Sequence, residues 1–195
     1  MLKVQRLPYS FISAVISTII LIVPACKSLP GGPGTADNPF DPDNPNNSFN
    51  GTALVLSPAV FSISSGAQFS IDLWIVEADS IAGFNVKVEF DPDELRLEQV
   101  NFLETDSESL LLENGGELIN FADADTLNGS IILDCAVVEG SPQNVNGTGI
   151  LSRISFKHLS GTQTDIDINT TVKFRNNNNQ PVGIDTFIGS EITIK

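Results

Sequence analysis

From Gly51 onward, apolar side chains recur at every second position. Phe69, Ile71, Leu73 and Ile75 alternate with Ser70, Asp72, Trp74 and Val76. Phe84, Val86, Val88 and Phe90 alternate with Asn85, Lys87 and Glu89. Ile131, Leu133, Cys135 and Val137 alternate with Ser130, Ile132, Asp134 and Ala136. Ile166, Ile168, Thr170 and Val172 alternate with Asp165, Asp167, Asn169 and Thr171, and Ile192 and Ile194 flank Thr193. In a strand, successive side chains point to opposite faces, so each stretch predicts a strand with one buried face. Shorter candidates lie at 52–56, 95–102, 118–122 and 149–159. Turn signals such as Asn114-Gly115-Gly116, Asn128-Gly129 and Asn146-Gly147 separate them. The only helix-like stretch, 104–112, reads as a loop with a turn in it. About nine short strands at this spacing predict an all-β fold, a nine-stranded β-sandwich with jelly-roll topology over residues 51–195.

The first 50 residues lack this pattern. Lys3 and Arg6 precede an apolar run over residues 11–23. That run is too short for a bilayer core of about 30 Å, which needs roughly 20 residues. It suits the apolar region of an export signal. Val23-Pro24-Ala25-Cys26 follows and resembles a bacterial lipobox, with Pro24 an uncommon choice inside it. The resemblance implies cleavage after residue 25 and a diacylglycerol thioether on Cys26. A plain signal peptide cut after Ala25 is the alternative. Residues 26–50 then hold the attachment cysteine and a linker rich in Pro, Gly, Asn and Asp, a composition that keeps a chain extended and solvated. Within it, Asp41 cannot open an EF-hand loop, because the sixth and twelfth positions would be Asn46 and Thr52 rather than Gly and Glu. The expectation is an extracytoplasmic domain anchored to a membrane through lipid. Lys27 after the cysteine, in place of the Asp that holds Gram-negative lipoproteins at the inner membrane, points to the outer membrane or the cell surface.

Charge and composition narrow the function. Ten Lys and Arg stand against 24 Asp and Glu, a net charge of -14, and removal of the first 25 residues makes the chain more acidic still. No nucleic-acid partner is expected, since phosphate neutralisation needs a basic patch. With a single His, chemistry that needs a His pair is excluded, and His158 reads as a structural residue on an inward position. The carboxylates in Asp91/Asp93/Glu94, Asp123/Asp125 and Asp165/Asp167 lie at turns or on one solvent face, not across a cleft. No enzyme, metal site or cofactor is expected. If Cys26 is lipidated, Cys135 has no disulfide partner, and its neighbours Leu133 and Val137 make it a small buried hydrophobe.

One segment has a more particular form. Ile81-Ala82-Gly83-Phe84-Asn85-Val86-Lys87-Val88-Glu89-Phe90-Asp91-Pro92 resembles the A-G-F…[FY]-D-P strand of cohesin domains, with Leu95, Leu97 and Val100 after it. Its physical content is a half-buried strand that Asp91-Pro92 terminates, because proline cannot donate to a ladder. Gly149-Ile150-Leu151-Ser152-Arg153-Ile154-Ser155-Phe156 is similar to the family's G-x-L-x-x-I-x-F strand. Leu54-Val55-Leu56-Ser57-Pro58 and residues 192–194 fit its first and last strands, so the resemblance spans 51–195.

The resemblance implies a protein-binding module. Cohesins dock dockerins, small helical calcium-binding modules, on the flat outer face of one sheet; any calcium belongs to the partner. Matching strands, the partner-binding positions are Asn85, Lys87 and Glu89; Leu118 and Asn120, with Ala122 beside them; Ser130, Ile132 and Asp134; and Asp165, Asp167 and Asn169. Ile132 falls on the apolar platform, while Asp134 departs from a position that is commonly apolar. A solvated sheet face is the alternative for each residue. The competing function is a carbohydrate-binding module of the same architecture that holds polysaccharide. Such a platform needs exposed aromatics, and this chain offers one Trp, Trp74, and one Tyr, Tyr9, inside the signal segment.

Overall fold

The computed structural model describes residues 51–103, 110–112, 117–139 and 144–195. These belong to one compact unit of the chain. The expected signal segment, Cys26 and the expected linker lie outside them. The strands are β1 (Ala53–Ser57), β2 (Val60–Ile63), β3 (Gln68–Ile81), β4 (Gly83–Phe90), β5 (Leu95–Asn101), β6 (Glu117–Asp125), β7 (Ser130–Glu139), β8 (Val145–His158), β9 (Gln163–Ile168), β10 (Lys173–Arg175), β11 (Pro181–Val182), β12 (Thr186–Ile188) and β13 (Ser190–Ile194). A 3-10 turn at Leu110–Leu112 lies between β5 and β6. Every strand expected from the alternation is present, and β2, β10, β11 and β12 are added.

Two sheets form the sandwich. The first has the order β12-β1-β3-β8-β5. The second runs β11-β10-β4-β9-β13-β2, with β7 also paired to β4 and β6 to β7. The first two and the last two described strands are each divided between the sheets. β1 pairs with β3 in the first sheet, and after the cis Ser57-Pro58 bond β2 pairs in parallel with β13 in the second. β12 pairs in parallel with β1, and beyond Gly189 the chain enters the second sheet as β13. Crossing between layers closes one side of the sandwich and shortens the free edges. Gly189 has no room for a side chain, because a Cβ there would sit 2.6 Å from the Ile166 carbonyl oxygen.

The inward members of each alternation build one core. Leu54, Leu56, Ile71, Leu73, Ile75 and Ile154 of the first sheet face Val86, Val88, Ile131, Leu133, Ile166 and Ile192 of the second. Each such side chain contributes about 1.5–3 kcal/mol when fully buried. A row of rings crosses the core: Phe61 meets Phe69 at 5.5 Å, Phe69 stacks on Phe156 at 5.9 Å, and Phe156 meets Phe90 edge-on at 5.2 Å. Cys135 is buried in the same cluster. His158 is buried, and its Nδ1 accepts from the Gly66 N–H at 3.1 Å; its Nε2 has no partner among the described residues.

Asp91 caps the end of β4 as the sequence implies. Its side chain accepts from Asp93 N–H at 2.8 Å, and its carbonyl accepts from Leu95 N–H at 2.9 Å. The expected strand over 165–172 is shorter than its alternation. β9 stops at Ile168, where the Asn169 Oδ1 accepts from the Thr171 N–H and hydroxyl at 3.0 and 2.6 Å. An Asn side chain that closes such a turn competes with the ladder, and it wins here.

Candidate functional site

The second sheet presents an open outer face across β6, β7, β4 and β9. The register places Asn85 opposite Asp134, Lys87 opposite Ile132 and Glu89 opposite Ser130. On the other flank Glu89 lies opposite Asp167, and Asp165 opposite Glu191. Because β4 buries Val86 and Val88, these partners share the outward side. Asn85, Lys87, Glu89, Ser130, Ile132, Asp134, Asp165 and Asp167 thus form one surface, and Asn169 joins it by donating from its backbone N–H to the Lys87 carbonyl.

Leu118 and Asn120 do not face outward. Asn120 pairs with Cys135 and Ala122 with Leu133, both on the buried side of β7, and Leu118 packs against the core. The outward residues of β6 are Ile119, Phe121 and Asp123, opposite Ala136, Asp134 and Ile132. The cause is the hairpin. Asp125 pairs with Ser130 across Thr126-Leu127-Asn128-Gly129, so Asp125 and every second residue before it share the outward side of Ser130. The segment Leu118–Ala122 carries apolar residues at both parities, so alternation alone does not decide which set is buried. The Asn128-Gly129 turn was the readable signal: pairing across an even-numbered loop places Phe121 on the side of Ser130.

The exposed β6 residues change the character of the face. Ile119 and Phe121 are 64% and 60% exposed, and Leu127 at the hairpin tip is 88% exposed. With half-buried Ile132 beside them, they make an apolar strip at the β6–β7 side. Polar residues border it in mutually satisfied groups. Asn85 Nδ2 donates to Asp134 Oδ1 at 2.6 Å, so the Asp at a commonly apolar position is held by a partner on the next strand. Lys87 Nζ donates to Glu89 Oε1 at 2.7 Å, and Asn169 Nδ2 reaches the same oxygen at 3.2 Å. The Lys87 hydrogen bond holds the Glu89 carboxyl below its ordinary pKa; desolvation opposes this, and Asn169 adds to it. The Asp125 carboxyl in the hairpin is also held low, first by the Asn128 side-chain amide and then by its backbone N–H. Beyond β9 the surface is acidic, with Asp165, Asp167 and Glu191 together.

Among the described residues no group of three or more His, Cys, Asp or Glu is placed to hold a metal ion. No helix among them is long and apolar enough to cross a membrane. Trp74 lies on the outer side of the other sheet, half-buried against Ala53, Val55 and Val76 with Ile188 nearby.

No family model and no curated protein matches the chain. Solved structures do. A type II cohesin domain from the cellulosome of Acetivibrio cellulolyticus superposes with a TM-score of 0.57 at 16% identity, covering 73% of this chain and 94% of that one. A non-cellulosomal cohesin from the archaeon Archaeoglobus fulgidus gives 0.56 at 15% identity, over 75% of this chain and 92% of that one. The fold is cohesin-like. A chain of a type II cohesin–X–dockerin complex from Acetivibrio cellulolyticus gives 0.58 at 15% identity, over 74% of this chain and 98% of that one. At these identities the likeness is one of fold, and the cohesin-like sandwich of this chain spans the share of it that those domains cover.

Proposed function

We propose that this chain is a lipid-anchored, extracytoplasmic interaction module that docks a dockerin-like partner on the outer face of β6, β7, β4 and β9. The observation that carries the reading is the pair Ile119 and Phe121, left open to solvent beside half-buried Ile132 on a sheet face of a cohesin-like sandwich. Large apolar side chains gathered on an exposed face mark an interaction site, and here satisfied polar groups rim them. Among its structural neighbours are cohesins in complex with dockerins, which supports the choice of partner. The half-buried position of Trp74 offers no flat aromatic platform, so the protein-docking reading is favoured over polysaccharide binding.

The anchor follows from the lipobox-like Val23-Pro24-Ala25-Cys26 and places the domain outside the cytoplasm, at the outer membrane or cell surface. Two or more acyl chains on one terminus give stable membrane attachment. Its test is separate: Cys26→Ala moves the chain from the detergent to the aqueous phase on Triton X-114 partition. An unchanged partition refutes the anchor.

The docking test is capture from a detergent extract and culture supernatant of the native organism by the purified full chain, with calcium or with EDTA. The expected result is a dockerin-bearing protein retained only with calcium and lost on Phe121→Asp and on Ile132→Arg. Calcium-dependent capture that survives both substitutions refutes the face, and absence of any calcium-dependent partner refutes the function.

A further inference from the structure

A cleft of about 440 Å³ opens on the same outer surface, at the Gly83 end of β4. Its lining includes Gly83, Ala136, Lys173, Arg175, Asn176 and Asn177. β10 extends the sheet here, with Lys173 opposite Asn85 and Arg175 opposite Gly83. Phe174 between them is buried, so both cations stand on the outward side, about 7 Å apart along the strand. The floor is open because Gly83 has no side chain. A Cβ there would lie 2.9 Å from the Cys135 carbonyl oxygen, and the facing residue of β7 is Ala136.

The cleft is rich in donors within a strongly acidic chain. Lys87, Arg96 and Arg153 each pair with a carboxylate, whereas Lys173 and Arg175 form no ion pair among the described residues. The loop after β10 uses its side-chain oxygens internally. Asn176 Oδ1 accepts from the N–H groups of Asn178 and Gln180 at 3.0 and 2.9 Å, and Asn177 Oδ1 accepts from Asn144 Nδ2 at 3.1 Å. These bonds fill the acceptor capacity of Asn176 Oδ1 and half that of Asn177 Oδ1, and leave the side-chain N–H groups of both to donate. Among the described residues of the lining the one carboxylate, Asp134, is held by Asn85, two residues along β4 from the position opposite Arg175.

We infer that this cleft is a carboxylate-binding subsite, filled by an acidic side chain of the protein docked on the adjoining face. Arg175 Nη1 donates to the Asn179 carbonyl at 3.3 Å, so its Nε and Nη2 edge supplies the planar fork that matches a carboxylate, Lys173 a second charge, and the bare Gly83–Ala136 floor the space. The protein source follows from position: Asn85 and Asp134 line the cleft and also belong to the docking face, so a body seated there covers the mouth. The cationic cleft stands at one end of the surface and Asp165, Asp167 and Glu191 at the other. A partner with an acidic end and a basic end would therefore dock in one direction only.

The inference rests on the docking reading, and its test separates the two. The first arm is an amide NMR titration of the chain with N-acetyl-glutamate α-amide, with N-acetyl-glutamine α-amide and inorganic phosphate in parallel. The expected result is saturable shifts at Gly83, Ala136 and Arg175 with the glutamate compound alone, abolished by Lys173→Gln with Arg175→Gln. Absent shifts, equal shifts with the glutamine compound, or shifts with phosphate only overturn the subsite. The second arm compares capture of the calcium-dependent partner by the wild type and by the double variant, with about a tenfold loss expected for charge-assisted hydrogen bonds. Undiminished capture overturns the inference and leaves the docking reading standing. Shifts in the first arm with no calcium-dependent partner in the second keep the subsite, overturn its proposed occupant and refute the docking reading.

Discussion

Gly66 and Gly129 have nearly the same backbone conformation, with φ of +73° and +66°, but different surroundings. A Cβ at Gly66 meets nothing within 4 Å. A Cβ at Gly129 runs into the Phe90 carbonyl oxygen and lies 2.7 Å from Pro92 Cδ. Substitution by Ala therefore imposes one common cost at both positions and a second cost at Gly129 alone. The common cost is left-handed backbone for an L-residue, about 1–2 kcal/mol. Loss of unfolded-state freedom offsets about 0.4–1 kcal/mol of it. Gly66→Ala is thus expected to cost about 1 kcal/mol. At Gly129 the collision pushes the hairpin off β4, adding about 1–3 kcal/mol of overpacking. It also strains the 2.8 Å bond from Phe90 N–H to the Gly129 carbonyl, worth about 1 kcal/mol. The expected total is about 4 kcal/mol. Calorimetry of the two variants should give Tm decreases of roughly 4 °C and 14 °C at the scaling for a domain of this size. Equal decreases would refute the argument that contact with the β4 terminus, and not the turn conformation alone, fixes the β6–β7 hairpin.

Three further outcomes follow from the described contacts. Leu118→Asp is expected to destabilise the domain by about 2–4 kcal/mol, because it places a charge against the core, whereas Ile119→Asp stays within about 0.5 kcal/mol of wild type; urea unfolding of the pair checks the facing of β6. Glu89 binds its proton less readily in the folded state, so its contribution to stability is present above the ordinary glutamate pKa of 4.5 and fades as pH falls through the lowered folded value; Lys87→Met should move the Glu89 carboxyl titration, followed by NMR, toward higher pH. Arg153 reaches Asp72 with two hydrogen bonds of 2.6 and 2.9 Å across β3 and β8, and Arg153→Met is expected to cost about 1 kcal/mol in thermal unfolding with no loss of partner capture, since the pair lies on the other sheet.

The candidate site was partly legible in the sequence. β4, β7 and β9 each carry a run of apolar residues at one parity, and that settles their outward residues: Asn85, Lys87 and Glu89, Ser130, Ile132 and Asp134, Asp165 and Asp167. β6 is different. With Leu118 and Ala122 at one parity and Ile119 and Phe121 at the other, the pattern gives no decision, and matching strands to the cohesin resemblance turned Leu118 and Asn120 outward instead. The hairpin register decides it, and leaves the larger apolar pair in solvent. Asp134 looked out of place because its partner, Asn85, lies 49 residues away in the chain.

Local order determines much of this protein. Alternation at period two selects strands, Asp91-Pro92 and Asn128-Gly129 end or turn them, and the excess of acid sets the field outside the fold; all of these act between near neighbours. Tertiary structure decided what no local rule reaches. It divided the first and last strands between the two sheets, and it brought β10 beside β4 so that Lys173 and Arg175 stand over Gly83. Residues 83 and 175 are far apart along the chain and become neighbours only because unpaired backbone groups along β4 require a partner. Which strand supplies it is settled by burying the whole core at once, not by the residues on either side of the gap.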